Sequence, residues 1–299
     1  MRKLPVAVAF AATAAVALSA CTNASETEGS GDSEYPVFDV AAIAVDEAAA
    51  ALVPADIADS GVLTFASETS YAPAEFLDVD GTTPIGYDID IAKAIAATLG
   101  LEAQLETASF DSIIPAIGSK FDAGISSFTI TTERLGAVDM TQYIAAGEGY
   151  AVQTGNPGGF SADNLCGATV AVQVGTIQED EIADTAAQCE ADGADELEIL
   201  TYQTNADATT NVVGGKADVL FADSPIIGYA IEQTGKLEWL GEPFATAAQG
   251  VVTEKDSELT AAVSAALQAL MDNGTLDDIL SAWGVADAGL DEATTNPSL

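Results

Sequence analysis

The sequence predicts an α/β fold, and three features carry that expectation. Apolar stretches with strand and helix periods alternate along the chain. The helical stretches are punctuated as helices are, opened by pairs such as Ser224-Pro225 and closed by glycines such as Gly100. About 240 residues remain after an N-terminal leader and tether, enough for one large domain or two lobes, and no internal repeat is visible.

Arg2 and Lys3 precede a 17-residue apolar run, Leu4 to Ala20, and residues 1–20 read as a secretory signal peptide. The run ends in Leu18-Ser19-Ala20-Cys21, which resembles the lipobox of bacterial lipoproteins. That resemblance makes Cys21 the lipidated mature N-terminus, anchored to the membrane; the alternative is an ordinary cleavage site beside a stray thiol. No second apolar run of that length follows. Residues 21–59 read as a flexible tether, small, polar and acidic from Asn23 to Glu34, with a loose helix within Ala41 to Leu52.

Val62 to Ala66 is an apolar run of strand length. Ile91, Ile95 and Leu99 fall on one helix face, and Leu101, Ala103 and Leu105 alternate as a strand. Ser109 to Ile117 reads as a short capped helix and Asp122 to Phe128 as the next strand. A second set begins with Val170 to Val174, then a helix opened by Gly175-Thr176, strand Leu197 to Leu200 and a helix near Thr209 to Gly214. Strand Asp218 to Phe221, a helix from Ser224 and strand Leu237 to Leu240 follow. Leu259, Val263, Leu267 and Leu270 mark a long amphipathic helix; Leu276, Ile279, Leu280 and Trp283 mark the last.

The chain holds 8 Lys+Arg against 47 Asp+Glu, a formal charge of −39, and losing Arg2 and Lys3 with the signal takes −39 to −41. Nucleic acid is therefore not an expected partner, because phosphate neutralisation needs a basic face. With Cys21 assigned, Cys166 and Cys189 remain in an exported chain, where a structural disulfide is expected. Closing a loop of about two dozen residues stabilises by roughly 3 kcal/mol in the chain-entropy view. There is no histidine, no phosphate-cradling glycine loop and no metal-ligand spacing, so no cofactor is expected and most enzyme chemistries are disfavoured.

Arg134 is the one arginine beyond the leader. A planar guanidinium grips a carboxylate with two parallel hydrogen bonds, which lysine does not reproduce. Arg134 either anchors a small-molecule carboxylate or pairs with Glu133 or Asp139; its isolation in this composition favours the anchor. Glu68 and Tyr71 follow the first strand, and Asp223 follows the strand Ala217 to Phe221, both at carboxyl ends where ligands collect in open parallel sheets. Thr176 opens a helix whose first amides suit a carboxylate. Asp223 could equally cap the Ser224-Pro225 helix, and Tyr71 could be core.

Four segments then converge. Tyr71-Ala72-Pro73-x-Glu75-Phe76, Gly86-Tyr87-Asp88-Ile89-Asp90-Ile91-Ala92, Ser127-x-Thr129-Ile130-Thr131-x-Glu133-Arg134, and Gly214-Gly215-Lys216-Ala217-Asp218 followed by Asp223 resemble the extracellular solute-binding proteins of family 3, which serve amino-acid ABC transporters. The resemblance runs from about Gly61 to Val285. It implies a periplasmic-binding-protein-like fold of two α/β lobes joined by two crossing hinge strands, with lobe one at 60–148 plus 246–299 and lobe two at 149–245. It implies that Arg134, Thr129 and Thr176 hold an α-carboxylate and Asp223 an α-ammonium. Tyr71 would then pack on the ligand side chain, Glu68 would face its polar end, and Ser127 and Phe110 would be wall residues. Ala74 departs from the larger residue usual there. The implied function is an extracytoplasmic, lipid-anchored, monomeric protein delivering a polar or cationic amino acid to a permease. The alternatives are a sensing lipoprotein that regulates a partner and a carboxylate-based dehydratase on the same fold.

Overall fold

The computed structural model describes residues 35, 36 and 38–299; the signal peptide and Cys21 lie outside the described residues. Residues 38–59, read from the sequence as tether, are folded against the body. After one 3-10 turn at Val40–Ala42 come α1 (Glu47–Ala50) and α2 (Ala55–Ser60). Asp46 caps α1 by accepting the Ala48 and Ala49 amides at 2.9 Å each. Phe38, Ile43, Val53 and Ile57 pack on the main core. The segment's alanines blur the apolar period, so only its caps signal the turn.

The chain then lays down β1 (Val62–Ser67), a small antiparallel sheet of β2 (Ser70–Tyr71), β3 (Glu75–Leu77) and β4 (Pro84–Ile85), and α3 (Tyr87–Thr98). Next come β5 (Glu102–Thr107), α4 (Phe110–Ala116), β6 (Ala123–Gly124), α5 (Thr132–Ala137) and β7 (Val138–Gln153). A second group follows: β8 (Thr169–Gln173), α6 (Ile177–Ala191), β9 (Glu198–Tyr202), α7 (Asn205–Val213), β10 (Val219–Asp223), α8 (Ser224–Thr234) and β11 (Leu237–Trp239). β12 (Phe244–Glu254), α9 (Leu259–Asp272) and α10 (Thr275–Ala282) complete it.

The main sheet runs β5-β1-β6-β12-β7-β10-β8-β9, with β11 also on β7. β5, β1 and β6 are parallel, as are β10, β8 and β9. Between these groups lie the antiparallel β7 and β12, of 16 and 11 residues. β12 pairs with β6 at Val252 and Thr253, whereas β7 pairs with β10 from Glu148 to Val152. Each long strand thus belongs to both lobes, and the fold is two α/β lobes joined by two strands. Neither strand shows a clean two-residue period: β7 is buried at nearly every position, and β12 opens with Phe-Ala-Thr-Ala-Ala. The expected strand at Asp122 to Phe128 shrinks to Ala123–Gly124, after which the chain turns towards the cleft.

Cys166 and Cys189 form a disulfide within the second lobe, Cα atoms 5.6 Å apart, tying the segment before β8 to the end of α6. Ala74 is fully buried in the main core rather than in the cleft lining. Reduction of the disulfide is expected to lower the melting temperature by roughly 5–10 °C, from the loop-closure magnitude and the thermal scaling of a chain this size. Alkylation of both thiols in unreduced, denatured protein would show that the bridge does not form.

Candidate functional site

All eight residues singled out from the sequence line one cleft between the lobes. Its lobe-one wall comes from the loops after β1, β5 and β6, and its lobe-two wall from the carboxyl ends of β8 and β10 and the start of α6.

Arg134 stands at one end. Thr131 caps α5 by accepting the Arg134 amide at 3.2 Å, which turns the side chain of the first helical turn into the cleft. Its guanidinium donates from Nη1 to the Thr129 carbonyl at 2.8 Å and from Nη2 to the Gly175 carbonyl, on the other lobe, at 3.3 Å. Its Cζ lies 5.5 Å from the Phe110 ring centroid and 5.6 Å from that of Phe128, while the two rings stack at 4.8 Å. The surface pairing with Glu133 or Asp139 does not occur: among the described residues Arg134 makes no ion pair, and Asp139 is held by Lys255 at 2.9 Å. Burial pulls the guanidinium's pKa below its ordinary value, opposed by Asp223, Glu133 and Asp180. Thr176 caps α6 by accepting the Glu179 amide, and Glu179 reaches back to the Gly175 amide at 2.7 Å. The helix therefore presents its amino end beside Arg134.

Asp223 stands across the cleft. It sits at the N-cap position of α8, yet its carboxylate makes no cap bond. Instead Oδ1 accepts from Gln178 Nε2 at 2.9 Å and Oδ2 from Gln249 Nε2 at 2.8 Å. Gln249 arrives there because β12 breaks register between Gln249 and Gly250. Burial pushes Asp223 up to about 6 despite those amides and Arg134. Its backbone N–H donates to the Tyr71 hydroxyl of the other lobe at 3.0 Å, so Tyr71 is a cross-cleft contact as well as a wall.

Glu68 closes the third side. Its Oε2 accepts from Ser70 Oγ at 2.8 Å and from Gln173 Nε2, on the second lobe, at 3.1 Å. Burial raises its pKa, and those hydrogen bonds oppose the rise. Beneath lies a buried carboxyl pair, Glu75 and Asp88. Burial and Asp88 push Glu75 well above the carboxylate range, so it holds a proton, whereas Asp88 rises only to about 6 because Tyr143 and Ser127 donate to it. Asp88 Oδ2 accepts the Ser127 amide at 2.7 Å, which holds Ser127 at φ +50°, a left-handed conformation rare for serine. Ser126 links the layers, donating to Glu75 at 2.7 Å and accepting the Glu68 amide at 3.1 Å.

The sequence reading missed Gln173, Gln178, Ile177, Ser126 and Glu75 in the lining. It also missed Gln249, which orients Asp223, and Glu148, which accepts from Gln178 at 2.9 Å and is pushed up to about 8 by burial beside Glu181. Gln178 had a readable signal, two residues past the Thr176 cap; Gln249 and Glu148 had none, lying in strands without visible period.

The sequence profile of bacterial extracellular solute-binding proteins, family 3, matches residues 63–286. The arginine-binding protein ArgT of Corynebacterium glutamicum is 37% identical over 249 residues, 82% of each chain. An ancestral arginine-binding protein, solved bound to arginine and separately to glutamine, superposes with a TM-score of 0.69 at 30% identity, covering 75% of this chain and 98% of that one. The ancestral amino-acid-binding protein AncCDT-1, a precursor of cyclohexadienyl dehydratase, also scores 0.69 at 30% identity, over 76% and 97%.

Asp88 and Asp223 at about 6 and Glu148 at about 8 all lie above their ordinary values, so folding favours their protonated forms. The stability they contribute is complete below about pH 4 and lost as pH rises through about 6 to 8. The melting temperature of the unliganded protein is therefore expected to rise as pH falls from 8.5 to 6 at fixed ionic strength. A flat or opposite trend would contradict the burial of these carboxyls.

Proposed function

This chain belongs to the bacterial extracellular solute-binding proteins, family 3, and we propose that it captures a free amino acid with a cationic or polar side chain, arginine foremost, for delivery to an ABC permease. In this reading the mature protein is a monomeric lipoprotein held at the outer face of the cell membrane through Cys21. Lobe one comprises 60–148 and 246–299, and lobe two 149–245. The protein binds its ligand without transforming it.

One observation carries the ligand class: the cleft sets a single guanidinium against three lining carboxyls, and with Glu75 pushed well up by burial beside Asp88, Asp223 and Glu68 remain to face it at separate points of the wall. The α-carboxylate goes to Arg134, with Thr129 and the amino end of α6 at Thr176. The α-ammonium goes to Asp223, whose carboxylate two glutamine amides already orient. Phe110, Tyr71 and Ser127 line the space between, and the side chain ends at Glu68. A buried carboxylate without a donor costs several kcal/mol, so a side chain rich in N–H groups is favoured there. An acidic side chain would add a carboxylate with no further arginine to meet it. The arginine-binding names of the sequence and structural relatives support the same ligand.

Arg134→Lys is expected to weaken binding more than tenfold, because a point cation does not replace a bidentate fork; near-wild-type affinity by calorimetry would remove Arg134 from the site. Asp223→Asn is expected to abolish most affinity while leaving the unliganded fold intact. Gln249 Oε1 is buried without a partner, so turning that amide over lets it accept from the new asparagine. Unfolding with affinity spared would make Asp223 structural. In a competition series at pH 7, arginine and lysine should displace glutamate and leucine; if leucine or glutamate outcompetes arginine and glutamine together, the charge matching fails.

A further inference from the structure

Gln173 is the last residue of β8, 2% exposed, and faces Glu68 from the opposite lobe. Its Nε2 donates to Glu68 Oε2 at 3.1 Å and to the Gln203 carbonyl at 3.2 Å. A backbone carbonyl only accepts, so the amide's orientation is chemically fixed with nitrogen towards Gln203 and Glu68, and both N–H groups are committed. The carbonyl Oε1 accepts no hydrogen bond among the described residues, and it is not one of the sealed, partnerless atoms, in contrast to Gln249 Oε1. Gln173 lines the cleft, so this oxygen is the group it offers to a ligand.

Glu68 stands in the same condition. Its Oε2 is taken by Ser70 and Gln173, the Ser70 amide also supports the carboxylate, and Oε1 is not one of the sealed, partnerless atoms. The far end of the cleft therefore presents two neighbouring acceptors, one from each lobe. We propose that Gln173 is a specificity-determining residue that, with Glu68, selects a side-chain terminus made only of N–H donors on divergent edges, a guanidinium, over an amide or ureido group of similar shape. This rests on the amino-acid-binding reading above. A guanidinium offers planar donors on more than one edge and no acceptor, so it meets both oxygens at once. A ureido group turns one of those edges into a carbonyl, which would face an acceptor. An ammonium reaches both only as a point charge.

The test compares arginine, citrulline and lysine by calorimetry on wild-type protein and on Gln173→Leu. Wild-type protein should prefer arginine to citrulline by at least a hundredfold. Gln173→Leu should weaken arginine tenfold or more, the scale of one hydrogen bond to a charged group, while changing citrulline less than threefold. Equal losses for all three ligands would mean that Gln173 acts on lobe closure through Glu68, and would overturn the assignment. Wild-type protein that binds leucine or glutamate but none of the three would sink the ligand class first, a different result from a wild type that binds arginine with a variant of unchanged selectivity. If Gln173→Leu melts early, Gln173→Met gives the same comparison. Symmetric dimethylarginine, which lacks one N–H on each terminal nitrogen, should bind wild-type protein at least tenfold more weakly than arginine; equal affinity would overturn the donor-fork assignment without any substitution.

Discussion

The constraint on which this molecule turns is the burial of Asp223 where the two long strands cross between lobes. A lone carboxylate taken from water is costly, and the fold meets that cost with polar groups drawn from three places. Gln178 comes from the second lobe, Gln249 from β12, and Tyr71, whose hydroxyl also accepts the Asp223 backbone N–H, from the first lobe. Both carboxylate oxygens are fixed, yet the pKa remains raised to about 6. The amides reduce the desolvation penalty without removing it. In the proposed reading, a ligand ammonium would complete what they leave unfinished.

Charge distribution makes the same point on a larger scale. The acidic surface is a solvated envelope, screened over about 10 Å at moderate salt, and sets no geometry. Within the cleft, by contrast, each ionisable group has an assigned neighbour. Below the floor Glu75 holds its proton beside Asp88, whose carboxylate accepts the Ser127 amide, holds that residue in its left-handed turn and so places the wall residues above. Lys255 is spent on Asp139 outside the cleft. Arg134 remains as the cleft's positive group, flanked by the Phe110 and Phe128 rings and steadied by two backbone carbonyls rather than by a competing carboxylate. Its N–H groups are thus held in position without being neutralised.

What was legible in the sequence divides along physical lines. β1, β8 and β10 were readable because parallel strands covered on both faces become short apolar runs, and most helices because their caps and periods are local. The candidate residues at strand ends, which line the cleft, were readable for the same reason: the position is local, and the chemistry is a side-chain type. β7 and β12 emerged only through the family resemblance, since strands packed between two lobes lose the alternation of inside and outside. The glutamines were invisible individually. A glutamine becomes part of a site only through the carboxylate it meets, and Gln249 meets Asp223 across a register shift that no periodicity announces. The order of residues 38–60 was hidden by alanine-rich composition, and the Asp46 cap that opens α1 was not singled out there.

Closure is where these contacts become mechanism. The lobes touch through Gln173 to Glu68, the Asp223 amide to Tyr71, and Arg134 to the Gly175 carbonyl. Each such bond contributes about 0.5–1.5 kcal/mol net, or somewhat more where a charge takes part, and lobe opening exchanges all of them for water. In the proposed reading they would bias an open–closed equilibrium without fixing it. Moving a hinge from one part in a hundred closed to ninety-nine takes about 5.5 kcal/mol of differential binding. Two or three charge-assisted bonds that a ligand makes to both lobes, at about 1.5–3 kcal/mol each, reach that sum. A ligand satisfied by one lobe alone would bind and shift nothing, because only contacts that exist in one state alone move the balance between states. The cleft divides its polar groups accordingly: Arg134 and Glu68 lie on one lobe, and Asp223, Gln173 and the amino end of α6 on the other, so a ligand matched to all of them is held only when both lobes hold it.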